Sequence, residues 1–191
     1  MRQLTYFMAV TLDGYIATAD GAADFFPWEG DHGPAITAEF PESVPAHVRK
    51  MVGIDPPNRR FDTVLMGRAT YETGLKDGIT NPYPHQRQFV VSRTMTQSPD
   101  HAVELVSDAV GTVRALKREA GMGIWICGGG TLAHELLDEI DELALKRYPI
   151  VIGSGIPLFS GGFHLARFKL AGSRVFNDGV ALMTYTKEEM E

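Results

Sequence analysis

Ile124-Trp125-Ile126-Cys127-Gly128-Gly129-Gly130-Thr131-Leu132 decides how this chain is read. An apolar run ends in three glycines, and a helix-like stretch from Leu132 to Ile140 begins at once. Glycines there remove every β-carbon between a strand end and a helix start, so backbone N–H groups can approach a ligand closely. A helix N-terminus adds partial positive charge and unpaired donors, and both favour a phosphate. The same glycines also serve close packing of a helix on a strand. Their meaning therefore depends on what the other strand ends carry.

Working outward, short apolar runs read as buried strands at Leu4–Val10, Thr63–Met66, Phe89–Val91, Val103–Val106, Ile124–Cys127 and Leu143–Ile152. They are near-continuous rather than alternating, which suits parallel strands covered on both faces. Trp125 and Phe89 fall inside such runs and are expected in the core. Between them, Ser107 is placed to cap a helix through Val110, Val113, Leu116 and Ala120, with Gly121 as its stop. Gly111 inside that helix is out of character. Phe168–Phe176 and Val180–Thr186 flank the turn signal Asn177-Asp178-Gly179, which predicts a closing antiparallel hairpin. The expectation is one α/β domain over 1–191: a mostly parallel central sheet, helices on both faces and a C-terminal hairpin. Asp20 to Pro45 and Gly74 to Gln88 read as irregular, and long loops of this kind often serve as lids.

In open parallel sheets ligands gather beyond the carboxyl ends of the strands. Met66-Gly67-Arg68-Ala69-Thr70 offers a close turn, a forked cation and a helix start, suited to phosphate or simply to a strand-to-helix turn with a solvated arginine. Val91-Ser92-Arg93-Thr94 offers two hydroxyls and a guanidinium, suited to a ribose 2′-phosphate or to an ordinary surface loop. The dinucleotide fingerprint G-x-G-x-x-G is absent after the first strand, where Val10-Thr11-Leu12-Asp13-Gly14-Tyr15-Ile16-Ala17 stands. Any dinucleotide must bind in another manner.

Composition narrows the classes. A hydrophobic share of 44%, a charged share of 22% and 191 residues describe an ordinary globular domain. A net charge of −6 argues against a nucleic-acid surface. No window approaches the roughly 20 apolar residues a membrane span needs, so no membrane partner is expected. Cys127 is the single cysteine; a disulfide within the chain is impossible, and a reducing cytoplasm is the simple inference. It reads as a core cysteine. The six histidines lack ligand-like spacing, so no metal is expected.

Taken in order, Ala9 to Ala17 (A-x-x-x-D-G-x-I-A), Leu65 to Glu72 (L-M-G-R-x-T-Y-E), Val90 to Thr94 (V-V-S-R-T) and Ile126 to Leu132 (I-x-G-G-G-x-L) resemble the dihydrofolate reductase superfamily. The bacterial branch sharing the reductase domain of riboflavin biosynthesis is the nearer likeness, and Asp141 through Phe159 is typical of it. The resemblance implies an NADPH cofactor. Ala9 and Ile16 would line the nicotinamide pocket, with Asp13-Gly14 opening a loop over it. Gly67, Arg68 and Thr70 would hold the pyrophosphate and adenosine side, and Ser92 and Arg93 the 2′-phosphate. Gly128, Gly129, Gly130 and Thr131 would cradle the cofactor, with Leu132 packing beneath. A homodimer is also implied.

The substrate half matches less closely. The superfamily places a carboxylate on the helix before the second strand, and Ala38-Glu39-Phe40 resembles that acid-aromatic pair, making Glu39 the candidate catalytic acid and Asp31 the runner-up. An ordinary exposed acid is the competing reading of each. Phe26 and Trp28 stand beside Pro27, either as a lid for a flat ring or as anchors of their loop. The riboflavin branch has an Asp-Asp-Pro-x-Leu-like run where this chain has Tyr71-Glu72-Thr73-Gly74-Leu75-Lys76-Asp77-Gly78. The expectation is a reductase passing hydride to a small flat pterin- or pyrimidine-like ring. The alternatives are a 5-amino-6-(5-phosphoribosylamino)uracil reductase and a non-catalytic NADP-binding sensor.

Overall fold

The computed structural model describes residues 1–188. Its central strand is β1 (Leu4–Val10), whose Leu4, Tyr6, Phe7 and Val10 are all nearly sealed from solvent. A strand apolar on both faces must sit mid-sheet with cover on either side, and that is where β1 lies. The chain continues with β2 (Tyr15–Ala17), α1 (His32–Glu39), α2 (Ala46–Val52), β3 (Phe61–Gly67), α3 (Arg68–Lys76), β4 (Arg87–Val91) and β5 (Val103–Val106). Then follow α4 (Ala109–Arg118), β6 (Gly123–Gly128), α5 (Gly130–Glu135), β7 (Glu142–Arg147), β8 (Ile156–Pro157), β9 (Phe168–Val175) and β10 (Ala181–Lys187).

The eight-stranded sheet runs β5-β4-β3-β6-β1-β7-β10-β9. Neighbours from β5 to β7 are parallel, and β10 is antiparallel to both β7 and β9. β2 and β8 form a separate small ribbon. On one face, α1 and α3 cover a core of Phe7, Phe40, Phe61, Tyr71, Trp125 and Tyr148. Phe7 and Phe40 stack with ring centroids 4.2 Å apart. On the other face, α4 and α5 cover Leu4, Tyr6, Ile124 and Ile126 with Val113, Leu116 and Leu136. Each such fully buried side chain contributes about 1.5–3 kcal/mol. Trp125 and Phe89 are core, each 4% exposed.

Several boundaries differ from the sequence reading, each for a local reason. Asp108, not Ser107, caps α4: its carboxylate accepts from Gly111 N–H at 2.8 Å. A β-carbon at residue 111 would stand 2.1 Å from that carboxylate, which explains the glycine within the helix. α5 is only six residues long and gives way to turns before Ile140. β7 ends at Arg147 rather than at Ile152, because Ile150 turns to meet the loop after β1 through Leu12 N–H to Ile150 carbonyl at 2.8 Å. The stretch 20–45 contains α1, whose His-Gly-Pro-Ala-Ile-Thr-Ala-Glu has no apolar period to betray it.

Two buried polar knots close the α1 side. Glu42 is fully buried and its carboxylate accepts from the backbone N–H groups of Arg59 (3.1 Å), Arg60 (2.8 Å) and Phe61 (2.7 Å). His32, also buried, bonds Asp178 in the hairpin turn through Nδ1. Its Nε2 lies 3.1 Å from the Pro27 carbonyl and 3.2 Å from the Tyr148 hydroxyl. The Nδ1 bond is the foremost cause holding the Asp178 carboxyl below the usual range.

Candidate functional site

The carboxyl ends of β3, β4 and β6 open on one cavity of about 590 Å³. Gly67, Arg68 and Thr70 come from the first, Val91 from the second, and Cys127 through Leu132 from the third. Ile16 and Ala17 of β2, Ile156 of β8 and the Ala19–Gly21 turn form the opposite wall. The glycines are needed for three separate reasons. Gly128 has φ +131°, and a β-carbon on it would lie 3.1 Å from the Met8 methyl. A β-carbon on Gly130 would strike the Pro157 carbonyl oxygen at 2.2 Å. Gly129 is different: its β-carbon would find nothing nearer than Thr70 Oγ1 at 3.7 Å. The surrounding protein thus leaves room for a β-carbon on the cavity side of the turn.

Neither helix that starts at the cavity has a side-chain cap: α3 begins after Gly67 and α5 after Gly129. Their first backbone N–H groups are left as donors toward the cavity. The charges here are mixed. Arg68, half-exposed, lies 3.3 Å from Glu72, and exposed Arg93 lies 3.3 Å from Glu135 on the cavity rim. Both pairs are weak enough at the surface to open for a stronger anion.

The family model described as the RibD C-terminal domain matches residues 2–182. The chain belongs to that family. It is 32% identical over 187 residues to the uncharacterized protein YwjB of Bacillus subtilis, covering 95% of this chain and 96% of that one. It is 25% identical to YyaP of the same organism, covering 96% and 94%. Among solved structures, a Shewanella sp. PV-4 protein named as a riboflavin biosynthesis protein superposes with a TM-score of 0.73 at 29% identity, covering 99% of this chain and 100% of that one. Enterococcus faecalis dihydrofolate reductase, complexed with NADP(H) and RAB-propyl, superposes at 0.66 with 16% identity, covering 98% and 97%. At that identity the likeness is one of fold. The RibD-type, dihydrofolate-reductase-like architecture expected from the sequence is therefore present.

The structure brings Ile16, Gly67, Arg68, Thr70, Gly128, Gly129, Gly130, Thr131 and Leu132 together around the cavity. Ser92 and Arg93 sit beside it at the end of β4. The Ser92 hydroxyl already accepts from Thr94 and Met95 N–H groups and so shapes the turn that presents Arg93. Ala9 is half-buried on the α1 face, one strand from Cys127. Glu39 and Asp31 are not at the cavity. Glu39, with its side chain 43% exposed, lies 3.7 Å from Arg60 at the far end of α1. Asp31 is exposed and accepts from Asn177 in the hairpin turn. Phe26 packs on Tyr148 at 4.8 Å, and Trp28 is 48% exposed.

Asp13 has a structural task that its Asp-Gly motif did not announce. Its carboxylate accepts from the Thr11 hydroxyl (2.6 Å) and from Ile152 and Gly153 N–H groups (3.2 and 2.7 Å). It thereby clasps the loop after β1 to the segment leading into β8. The Thr11 hydroxyl is the main cause holding its carboxyl below the usual range. A depressed carboxyl supports the fold above its unfolded pKa and loses that support as pH falls through the folded value. The clasp should therefore hold in full above about pH 4, weaken below it, and open as pH falls through the lower folded value. Amide exchange at Ile152 and Gly153 should accelerate in acid, and Asp13→Ala should show the fast rate already at neutral pH. Unchanged exchange in the variant would remove the clasp.

A cluster that the sequence reading missed stands on the α1 side of the glycine turn. Cys127 reaches the cavity wall instead of lying wholly in the core, and its Sγ is 3.6 Å from the Tyr83 hydroxyl. Burial pushes the thiol up to about 11 and the Tyr83 phenol well above its usual value. Lys146, the register partner of Ala9, stands close enough to Cys127 for each to feel the other's charge. Its side chain is half-buried. That burial brings the ammonium down to about 8. A cation within an apolar run, Leu143-Ala144-Leu145-Lys146, was the available signal.

Proposed function

We propose that this protein is an NADPH-dependent reductase of small flat heteroaromatic rings of the pterin or pyrimidine type. The observation that carries the reading is the convergence of three strand ends on one cavity, with the glycine turn at its centre. The cradle fits a dinucleotide: Gly128 to Thr131 and the start of α3 offer backbone donors for the pyrophosphate, Arg68 a guanidinium, and Ile16 and Leu132 apolar walls for a nicotinamide. When bound, that group supplies a hydride; the protein's share is orientation and exclusion of water. Ser92 and Arg93 form the subsite for the 2′-phosphate. The Shewanella relative favours an aminouracil-type substrate within this class, whereas the absent Asp-Asp-Pro run favours another ring.

The test is Arg93→Ala. Loss of a charge-assisted contact should weaken NADPH about tenfold or more while changing NADH by less than about twofold. Equal losses for both would mean that Arg93 does not meet the 2′-phosphate. We further assign the protein to the cytoplasm and to a homodimer. In support, no helix among the described residues is long and apolar enough to cross a membrane. β9 is an edge strand whose residues are exposed almost throughout, including Leu170 and Val175. Such an edge is suited to pairing with a second copy.

A further inference from the structure

Two arginine–glutamate pairs stand at the cavity, and they are not alike. Arg68 and Glu72 both lie on α3, an ordinary (i, i+4) pair along one helix surface. Arg93 and Glu135 come from different elements. Arg93 follows β4, whose Val91 lines the cavity, and Glu135 ends α5, whose Thr131 and Leu132 line it too. One helical turn separates Thr131 from Glu135, so both face the cavity, and Glu135 is itself part of its lining.

The 3.3 Å contact of Arg93 with Glu135 therefore bridges the cavity's edge. Among the described residues, each is the other's one ion-pair partner. Arg93 has 76% of its side chain exposed and is free to turn. Glu135, at 35%, is carried by a helix whose Leu132 and Ala133 are buried. Its Oε1 faces Arg93, while Oε2 has no partner among the described residues. Exposed pairs of this kind add little to stability, so either partner is available to a ligand.

The two groups ask for different ligands. A guanidinium forks onto a phosphate, whereas a carboxylate repels a phosphate and accepts from a free ribose hydroxyl. Dinucleotide sites ordinarily choose between NADP and NAD by carrying one or the other. Here both stand at one corner. We propose that Glu135 is a specificity-determining residue that acts against Arg93, competing with the 2′-phosphate of NADPH for the guanidinium and accepting from the free 2′-hydroxyl of NADH. The protein is thereby held to a modest preference and binds both nucleotides. This rests on the reading above that Ser92 and Arg93 receive the 2′-phosphate. With NADPH, Arg93 exchanges a carboxylate oxygen for phosphate oxygens, and the phosphate stands beside the released carboxylate. With NADH, the pair stays closed and Oε2 takes the hydroxyl.

The experiment is calorimetric titration of the full chain with NADPH, NADH, adenosine 2′,5′-bisphosphate and adenosine 5′-monophosphate, with a thermal melt of each variant to show that it is folded. The last two probes differ only in the 2′-phosphate and read the corner without a nicotinamide. Glu135→Gln and Glu135→Ala should each widen the NADPH-to-NADH affinity ratio about tenfold, chiefly by tightening NADPH. The bisphosphate-to-monophosphate ratio should widen likewise. Glu135→Asp keeps the charge and should stay within about threefold of the parent ratio. Glu72→Gln removes the same charge from the Arg68 pair; it should move both nucleotides together and leave the ratio within about twofold. An unchanged or narrowed ratio in either Glu135→Gln or Glu135→Ala, with the parent binding both nucleotides, overturns the proposal and leaves the reductase reading standing. Equal widening in Glu72→Gln also overturns it, since net charge alone would then be responsible. If the parent binds none of the four probes, the cofactor reading falls and this proposal with it.

Discussion

Gly129→Val should raise the NADPH dissociation constant at least about a hundredfold while leaving the protein folded. The two parts of that expectation have separate causes. Gly129 has φ −97°, ordinary for any residue, and its β-carbon would meet Thr70 Oγ1 at a normal 3.7 Å. A β-carbon is therefore accommodated there. The branched methyls would occupy the space into which a bound pyrophosphate must come for the backbone donors to reach it. Losing that contact costs about 2.7 kcal/mol or more, since every 1.4 kcal/mol is a factor of ten. Its neighbours would give a less clear answer. Gly128→Val would oppose a φ of +131°, and Gly130→Val would collide with Pro157, so both would damage the fold. Calorimetric titration with NADPH, beside a thermal melt, reads both parts. Normal binding by Gly129→Val would remove the glycine turn from the site.

Glu42→Ala should destabilise the protein by about 3–5 kcal/mol without any direct effect on the cavity. The carboxylate is wholly buried and satisfies three consecutive backbone N–H groups at the entry to β3. Alanine would leave all three donors without that partner, the Phe61 N–H in a buried place. Glu42→Gln should cost less, because its amide oxygen still accepts although the amide nitrogen faces a donor. The urea midpoint of each variant measures this at constant slope. A loss below about 1 kcal/mol for Glu42→Ala would mean that the loop relaxes to find other partners.

The convergence of strand ends on the cavity was legible because its signals are local. Strand, glycines and helix are contiguous in Ile124–Leu132, and Gly67-Arg68 follows β3 directly, so a pattern along the chain maps onto a pattern in space. The parallel centre and the closing hairpin were legible for the same reason: burial on both faces writes continuous apolar runs, and Asn177-Asp178-Gly179 writes a turn. What the chain does not write locally was missed. α1 has no amphipathic period, so its direction and the fate of Glu39 were invisible. Glu42 looks like any acid beside prolines until its three distant donors are in place. Lys146 becomes notable only when β1 and β6 bring Phe7 and Cys127 beside it. Register between strands, not spacing along one, decides which side chains meet.

The most direct measurement is a titration of the unmodified protein with NADPH and with NADH, followed by quenching of tryptophan fluorescence. Trp125 is buried three residues before the glycine turn and is pinned by its Nε1–H to the Phe7 carbonyl at 3.1 Å, so it should respond to occupancy of the cradle. Saturable quenching is predicted, with NADPH bound at least about tenfold more tightly than NADH. No binding of either nucleotide, confirmed by calorimetry, would contradict the account.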